Sequence, residues 1–147
     1  MNVNDKNMMT NCELCQQLGG EVIWQDARCR VVLVADADYL GFCRVIWQAH
    51  IKEMTDLPPL DRQHLMMTVM KVETAVRAVL NPDKINLASL GNLTPHLHWH
   101  VIPRFAHDKH FPQPIWGQAQ RTSQHHLPAH WRAELTAHLT AILNASC

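Results

Sequence analysis

The sequence has no long hydrophobic run and no excess of charge of either sign. None of its apolar stretches reaches the roughly 18 residues that a transmembrane helix needs, and its 13 Lys and Arg balance its 13 Asp and Glu. Composition therefore gives no reason to expect a membrane span, or binding to long nucleic acid or to an acidic membrane surface. It does not exclude a small anionic substrate that is held by local dipoles.

The chain also lacks the marks of a secretory leader and of a disulfide framework. Its first segment, MNVNDKNMMTNCELC, has neither a charged n-region nor an apolar h-region. The 5 cysteines are odd in number, which favours a reducing compartment over a set of disulfide bonds. We therefore expect a cytoplasmic protein.

Neither an internal repeat nor a low-complexity tract divides the 147 residues. That length suits one domain with a single core. We predict one domain over residues 1–147, with its core at about 12–105 and a C-terminal extension over 106–147.

Apolar, β-branched and aromatic runs predict strands over residues 21–24, 29–34, 42–47, 85–90 and 96–104. Apolar positions that recur at three and four predict one long helix over 60–80, between Pro58-Pro59 and Asn81-Pro82. A second amphipathic helix is predicted over 129–144. Short connections favour antiparallel neighbours, so the pattern predicts an α+β domain with an antiparallel sheet.

The segment PHLHWHVIPRF, residues 95–105, places His96, His98 and His100 at alternate positions. Alternation along a strand puts the three imidazoles on one face, about 6.6–6.8 Å apart. That spacing is too long for neighbouring imidazoles to share one metal comfortably, so a separate role for each is favoured. The alternative is a solvated, His-rich strand face, which strict alternation beside a Gly91 turn disfavours.

Imidazole suits chemistry at phosphorus. It acts as a nucleophile or as a general acid or base near neutral pH, and its bond to phosphorus is labile enough for water to clear. A second imidazole can protonate the leaving group, and backbone N–H groups of a turn can hold phosphate oxygens. The three histidines supply these parts.

The segment HLHWHVI, residues 96–102, resembles the His-φ-His-φ-His-φ-φ signature of the histidine triad (HIT) family of nucleotide hydrolases and transferases, where φ is hydrophobic. GFCRVIWQAH, residues 41–50, is similar to the family's Gly-x-x-x-Val-Ile-Pro-Lys-x-His, although Phe42 stands where many members carry a fourth histidine. The resemblance runs from Cys12 to about Arg104. It implies a HIT-like fold, a homodimer whose sheets join, and a small-molecule nucleotide as partner.

The activity that this resemblance implies is hydrolysis or transfer at the α-phosphate of a dinucleoside polyphosphate or a nucleoside phosphoramidate. His98 would attack the phosphorus and carry the nucleotidyl group, His100 would help the leaving group to depart, and His96 would hold a neighbour or a metal. The ribose-binding acid of the family would fall at Asp36 or Asp38. The alternatives are a nucleotide-binding or zinc-stabilised interaction module with little turnover.

The resemblance also implies substrate contacts before the triad. Asn86, Gly91 and Asn92 would contact phosphate or position the loop. Leu93 stands where the family commonly has a serine near the leaving group, and Thr94 beside it is the candidate contact. These positions precede His96 by two to ten residues.

Cys12-Glu13-Leu14-Cys15 has the C-x-x-C spacing of metal ligands, which alone is weak. Structural zinc takes four N or S ligands. The resemblance implies that His50 and His96 complete a zinc site with Cys12 and Cys15. The alternative is a reduced dithiol in a flexible leader.

Residues elsewhere are less specific. Cys29 and Cys43 lie in apolar runs and are predicted to be buried as small hydrophobic residues. His107 and His110 are candidates to lie over the site and, together with Arg104 and Lys109, to meet phosphate charge; the alternative is that they fill a subunit contact. Trp116 is a candidate for stacking on a base or for packing across a dimer.

Overall fold

The computed structural model describes residues 11–146 and has 5 strands and 3 α-helices there. The strands are β1 (Glu21–Gln25), β2 (Cys29–Leu33), β3 (Cys43–Trp47), β4 (Lys84–Ala88) and β5 (His98–Arg104). The helices are α1 (Glu13–Gln16), α2 (Pro59–Leu80) and α3 (Trp131–Asn144), with a 3-10 turn at Met54–Asp56. No helix within residues 11–146 is long and apolar enough to cross a membrane.

The strands form an antiparallel sheet in the order β1-β2-β3-β5-β4. The predicted α+β class, with one long helix and a C-terminal helix, is confirmed. β5 begins at His98, so the predicted start of that strand was two residues early. His96 and Leu97 precede it because the backbone of Leu97 is bonded to the loop beyond β3: its N–H donates to Ile51 O (2.6 Å) and its carbonyl accepts from Trp47 N–H (3.0 Å).

The long helix α2 starts and stops where the sequence predicts. Pro59 occupies its first turn, where a missing N–H costs nothing because that group has no partner inside the helix. Asn81 ends it in the left-handed conformation with φ 45° and donates its N–H to Arg77 O (3.1 Å). Asn tolerates this conformation better than most residues, and Pro82 cannot continue the helix.

One face of the sheet packs against α2 and α3. Its core members are apolar residues at helical spacing on α2 and at alternate positions on the central strands, including Leu65, Val69, Val72, Val76, Val45, Trp47 and Val101. Burying a side chain of this kind stabilises the fold by about 1.5–3 kcal/mol. Because strand residues alternate, the residues between them on β5, His98 and His100, lie on the opposite face.

Cys29 and Cys43 are completely buried free thiols in β2 and β3. Burial raises the pKa of each to about 12, so both stay protonated at neutral pH. They serve as small hydrophobic residues, as the sequence predicts.

Candidate active site and zinc site

His98 opens β5 with its ring nearly enclosed, since the residue is 8% exposed. Its Nδ1 lies 2.5 Å from the backbone oxygen of His96. A carbonyl only accepts, so Nδ1 carries the proton and Nε2 keeps a lone pair. Burial lowers the pKa of His98, and the charge of Arg44 lowers it further, against the opposing effect of the His96 carbonyl. The ring is therefore neutral at pH 7, with Nε2 free to attack an electrophile.

His100 lies edge-on to His98, with ring centroids 4.8 Å apart. The residue is 6% exposed, and its buried Nδ1 has no hydrogen-bond partner within residues 11–146. Burial, followed by the charges of His98 and Arg44, lowers the pKa of His100 to about 3. A bound anion would reverse this effect, because a negative charge nearby favours the protonated ring.

The lowered pKa of His100 predicts a pH-dependent stability. The unfolded chain binds a proton at this ring near its ordinary value of 6.5, whereas the folded chain does so only near 3. The free energy of unfolding should therefore fall as the pH is lowered from about 6.5 towards 3, since the unfolded state binds more protons there. In urea titrations between pH 7.5 and 4.5, we expect a shallower slope for His100→Gln than for the wild-type protein, by up to about 1.4 kcal/mol per pH unit.

The matched control for this prediction is His125→Gln, because His125 is exposed. Its slope should equal that of the wild-type protein. Equal slopes for the His100→Gln and wild-type proteins would show that His100 is not held neutral by the fold.

Two aromatic side chains enclose His100. The ring of Phe42 lies 5.5 Å from it and that of Trp116 lies 5.1 Å away, centroid to centroid. Phe42 is buried, whereas Trp116 is 52% exposed. Trp116 thus reaches the triad of its own chain and leaves half of its surface available to a ligand.

Trp116 reaches this position because residues 105–117, called the strap here, fold back over β5. Asp108 is 4% exposed and accepts hydrogen bonds from the backbone N–H groups of Phe105 (3.1 Å), His110 (3.0 Å) and Phe111 (2.7 Å). Its carboxylate also accepts a hydrogen bond from Arg104 Nε at 2.7 Å. One buried carboxylate therefore holds the first turn of the strap.

Arg104 is a structural residue, and its predicted contact with phosphate charge is wrong. It is 2% exposed, and besides Asp108 it donates to Asn86 Oδ1 (2.7 Å) and to Gln113 O (2.6 Å). Lys109, the other cation proposed from the sequence, pairs with Asp38 at 2.7 Å. This pair holds the strap to the loop after β2 and lowers the pKa of Asp38. Arg104 therefore has no donor nitrogen left for a substrate, whereas Lys109 is paired with Asp38 and partly exposed.

The loop between β4 and β5 carries three of the predicted substrate contacts, Gly91, Asn92 and Thr94. Gly91 has φ 71°, a left-handed conformation that favours glycine. Asn92 is exposed, and the Thr94 carbonyl accepts the His96 N–H at 2.8 Å. Sequence reasoning missed Ser89, whose hydroxyl donates to the carbonyl of His98 at 2.7 Å.

Cys12, Cys15, His50 and His96 come together as the C-x-x-C motif and the resemblance predict, with one ligand atom of each within 4.8 Å of the others. The sulfur of Cys15 lies 3.3 Å from His50 Nδ1 and 3.4 Å from His96 Nδ1, and that of Cys12 lies 3.5 Å from His96 Nδ1. A tetrahedral zinc ion, with bonds of about 2.3 Å to sulfur and 2.0–2.1 Å to nitrogen, separates S and N ligands by about 3.6 Å.

The protonation of this cluster also suits a metal. His96 Nε2 donates to Trp47 O at 2.6 Å, which leaves the lone pair of Nδ1 directed towards the two sulfurs. Without a metal, desolvation and the neighbouring Cys12 raise the pKa of Cys15 to about 11. Zinc would displace this proton on binding. The donor set and its spacing therefore fit a structural zinc ion.

A second cluster, Asp26, Cys29 and His64, also has ligand atoms within 4.8 Å of one another. Its groups are already paired, because His64 Nε2 donates to Asp26 at 2.7 Å and His64 Nδ1 accepts from Arg28 at 3.0 Å. With both ring nitrogens engaged and an arginine adjacent, the cluster is a structural hydrogen-bond network.

Comparison with known proteins identifies the family. A family model described as the HIT domain matches residues 16–107, which is more than half of the chain. The protein therefore belongs to the HIT family, and the resemblance drawn from residues 96–102 is confirmed.

Two solved histidine triad proteins share 27% sequence identity with the chain. The one from Bradyrhizobium japonicum has a TM-score of 0.69 over 84% of this chain and 90% of its own. The one from Sinorhizobium meliloti has a TM-score of 0.70 over 90% of this chain and 98% of its own. A zinc-bound family member from Mycobacterium smegmatis is 20% identical, with a TM-score of 0.63 over 94% of this chain and 99% of its own, a likeness of fold alone.

Among curated proteins, an AP-4-A phosphorylase of Mycobacterium tuberculosis is 30% identical over 83 residues. The match covers 52% of this chain and 43% of the phosphorylase. The chain thus spans less than half of the length of this relative.

Proposed function

We propose that the protein cleaves a nucleotide at its α-phosphate through a covalent nucleotidyl-His98 intermediate. The observation that carries this proposal is the bond from His98 Nδ1 to the His96 carbonyl, because it leaves the lone pair of Nε2 available to a phosphorus atom. The name of the curated relative, AP-4-A phosphorylase, agrees with a dinucleoside polyphosphate as substrate. A nucleoside phosphoramidate is the second candidate.

In the proposed reaction, Nε2 of His98 bonds to the α-phosphorus while the bond from phosphorus to the leaving group breaks. The leaving oxygen or nitrogen takes the electron pair. His100 gains a proton when the anionic substrate binds, since the phosphate raises its pKa, and passes that proton to the leaving group. Water then attacks the phosphorus and gives a proton to His100. The bond from phosphorus to Nε2 breaks with its electron pair returning to His98, and the nucleoside monophosphate is released. If another acceptor replaces water, the same intermediate transfers the nucleotidyl group to that acceptor.

We propose that β4 and the loop that follows it supply contacts to the substrate. Asn86 Oδ1 accepts from Arg104, so its Nδ2 group is the one left to donate to a phosphate oxygen. The Gly91-Asn92 turn offers backbone N–H groups, and Thr94 a hydroxyl. All four remain proposals for which single substitutions and KM measurements are the test.

We also propose that Cys12, Cys15, His50 and His96 hold a structural zinc ion. Bound zinc would fasten α1 to the segment that precedes β5 and keep His96 neutral. This matters for the reaction because the carbonyl of His96 orients the ring of His98. The zinc site thus supports the nucleophile through the backbone of one shared residue.

Homodimerisation and cytoplasmic location are proposed from the family resemblance and from composition. β4 forms one edge of the sheet, and Leu87 and Leu90 are exposed there. A second copy pairing along this edge would join two sheets and cover these side chains. Light scattering of the purified protein measures its mass in solution, and a mass of two chains of 16.8 kDa is expected for a homodimer.

The test of function is AMP release combined with trapping of the intermediate. The protein is incubated with diadenosine tetraphosphate or adenosine phosphoramidate, labelled in the adenylyl group, and quenched rapidly. We expect AMP as product and acid-labile label on a peptide that contains His98. Nucleotide binding without AMP release would favour a binding module, and zinc without nucleotide binding would favour an interaction protein.

A further inference from the structure

Arg44 is a cation of the site that sequence reasoning missed. It lies on β3 directly opposite His100 on β5, and opposite residues of an antiparallel pair have Cβ atoms about 4.5–5.5 Å apart. The nucleophile His98 has Ile46 opposite it instead. The positive charge therefore lies beside His100, the imidazole that the proposed reaction places at the leaving group.

The guanidinium of Arg44 is poorly satisfied for a half-buried group. Its Nη1 donates to Gly19 O at 3.1 Å, but its Nε is buried without a hydrogen-bond partner in the part of the chain that the structure describes. No salt bridge to Arg44 forms within residues 11–146; the carboxylates of Glu13 and Asp36 act on it only electrostatically. A desolvated charge without a partner is costly.

Two other arginines show what a satisfied guanidinium looks like in this fold. Arg30, on β2, donates to three backbone carbonyls and to the Gln48 side chain. Arg104 uses Nε and both terminal nitrogens on Asp108, Asn86 and a backbone carbonyl. Arg44 differs from both, because its Nε–H has no partner within residues 11–146. Its register opposite His100 places its side chain on the face of the sheet that carries His98 and His100.

The surroundings of Arg44 strengthen an interaction with an anion. Phe42 lies under the guanidinium, with Cζ 5.5 Å from the ring centroid, and Phe42 and Trp116 flank His100. These rings exclude water, which strengthens the electrostatic attraction between charges. Arg44 already acts on His100, since its charge contributes to the lowered pKa of that ring.

We infer that Arg44 binds the phosphate of an anionic leaving group, so that the protein prefers substrates whose leaving group is itself phosphorylated over substrates whose leaving group is an uncharged amine. This inference rests on the proposed function. When the bond from the α-phosphorus to the bridging oxygen breaks, the electron pair goes to that oxygen and the leaving polyphosphate gains negative charge. The guanidinium of Arg44 beside His100 offsets this charge. A departing amine is uncharged and offers the guanidinium no anion to bind.

The test is a ratio of two kcat/KM values, that for diadenosine tetraphosphate divided by that for adenosine phosphoramidate. We expect Arg44→Met to lower this ratio by about tenfold to a hundredfold, the range that corresponds to loss of one hydrogen bond to a charged group. Arg44→Lys keeps the charge and should stay within a few-fold of the wild-type ratio. Arg77→Met, on the exposed side of α2, is the matched control and should leave the ratio unchanged.

The outcomes separate this inference from the proposed function. An unchanged ratio in Arg44→Met, with AMP still released by the wild-type protein, overturns the inference and leaves the function standing. Absence of AMP release from either substrate by the wild-type protein overturns the function. In that case calorimetric titration with inorganic tripolyphosphate tests Arg44 alone: weaker binding by Arg44→Met than by Arg77→Met supports an anion site, and equal binding overturns it.

Folding of the variants is checked by thermal unfolding before either measurement. If Arg44→Met does not fold, Arg44→Gln takes its place, because an amide can still donate to Gly19 O while carrying no charge. A ratio in Arg44→Gln equal to that of Arg44→Lys overturns the inference.

Discussion

Replacement of His98 by alanine is expected to lower kcat/KM for AMP release by roughly 10⁴-fold or more, the scale on which loss of a covalent nucleophile acts. In the proposed reaction this imidazole forms the bond to phosphorus through Nε2, whose lone pair is left available by the bond from Nδ1 to the His96 carbonyl. Steady-state AMP release from diadenosine tetraphosphate measures the effect, and rapid-quench labelling should show no label on the peptide that contains residue 98.

The control for this substitution is His125→Ala, which removes an imidazole from an exposed position and should leave the rate at the wild-type level. Nucleotide affinity of His98→Ala, measured by calorimetry, should fall far less than the rate, because the nucleophile contributes mainly in the transition state. A variant that keeps a tenth of the wild-type rate would remove His98 from the role of nucleophile.

Loss of the zinc site is expected to cost stability on a comparable scale. Cys15→Ser removes one ligand of the cluster, and the melting temperature should fall by about 10 °C or more, which at this chain length corresponds to ~3–5 kcal/mol. This is less than the roughly 10–16 kcal/mol of an isolated zinc finger, because the chain has its own apolar core. Metal analysis should find one zinc ion per wild-type chain and a deficit in the variant.

Cys147→Ser is the matched control, since it removes a thiol that lies outside the described residues. Its zinc content and melting temperature should equal those of the wild-type protein. Chelation of the wild-type protein should reproduce the effect of Cys15→Ser. A wild-type protein that is purified without zinc, takes none up and is unaffected by chelators would rule the site out.

The proposed zinc site would also affect the rate of the proposed reaction. His96 donates its Nε2 proton to Trp47 O and directs Nδ1 at the two cysteines, while its backbone carbonyl holds the Nδ1 proton of His98. Movement of this one residue therefore changes the tautomer and the direction of the nucleophile. For that reason Cys15→Ser should lower AMP release as well as stability.

Much of the fold could be predicted from patterns among residues that are neighbours in the sequence. The α2 helix is readable because its apolar spacing and its proline and asparagine stop signals are properties of neighbouring residues. The buried thiols Cys29 and Cys43 follow from their apolar runs. The C-x-x-C motif predicts a metal site, but only the family resemblance pairs it with His50 and His96.

Other features depend on contacts between distant residues. The start of β5 at His98 is decided by backbone bonds from Leu97 to Ile51 and Trp47. Arg44 is inconspicuous in its own strand, and its importance appears only when strand register places it opposite His100. The extent of the domain over residues 1–147 stays a prediction.

The sequence by itself determined the alternating imidazoles, the helices α2 and α3, and the kinds of atoms available to a metal. Each of these depends on residue type and on spacing along a few helical turns or strand positions. Only the tertiary structure decided that the ring of His96 contacts the cysteines while the rings of His98 and His100 contact each other. It also decided that Arg104 is paired with Asp108 and that Trp116 contacts His100. These arrangements are made by long-range pairing and by competition for hydrogen-bond partners, which no local spacing specifies.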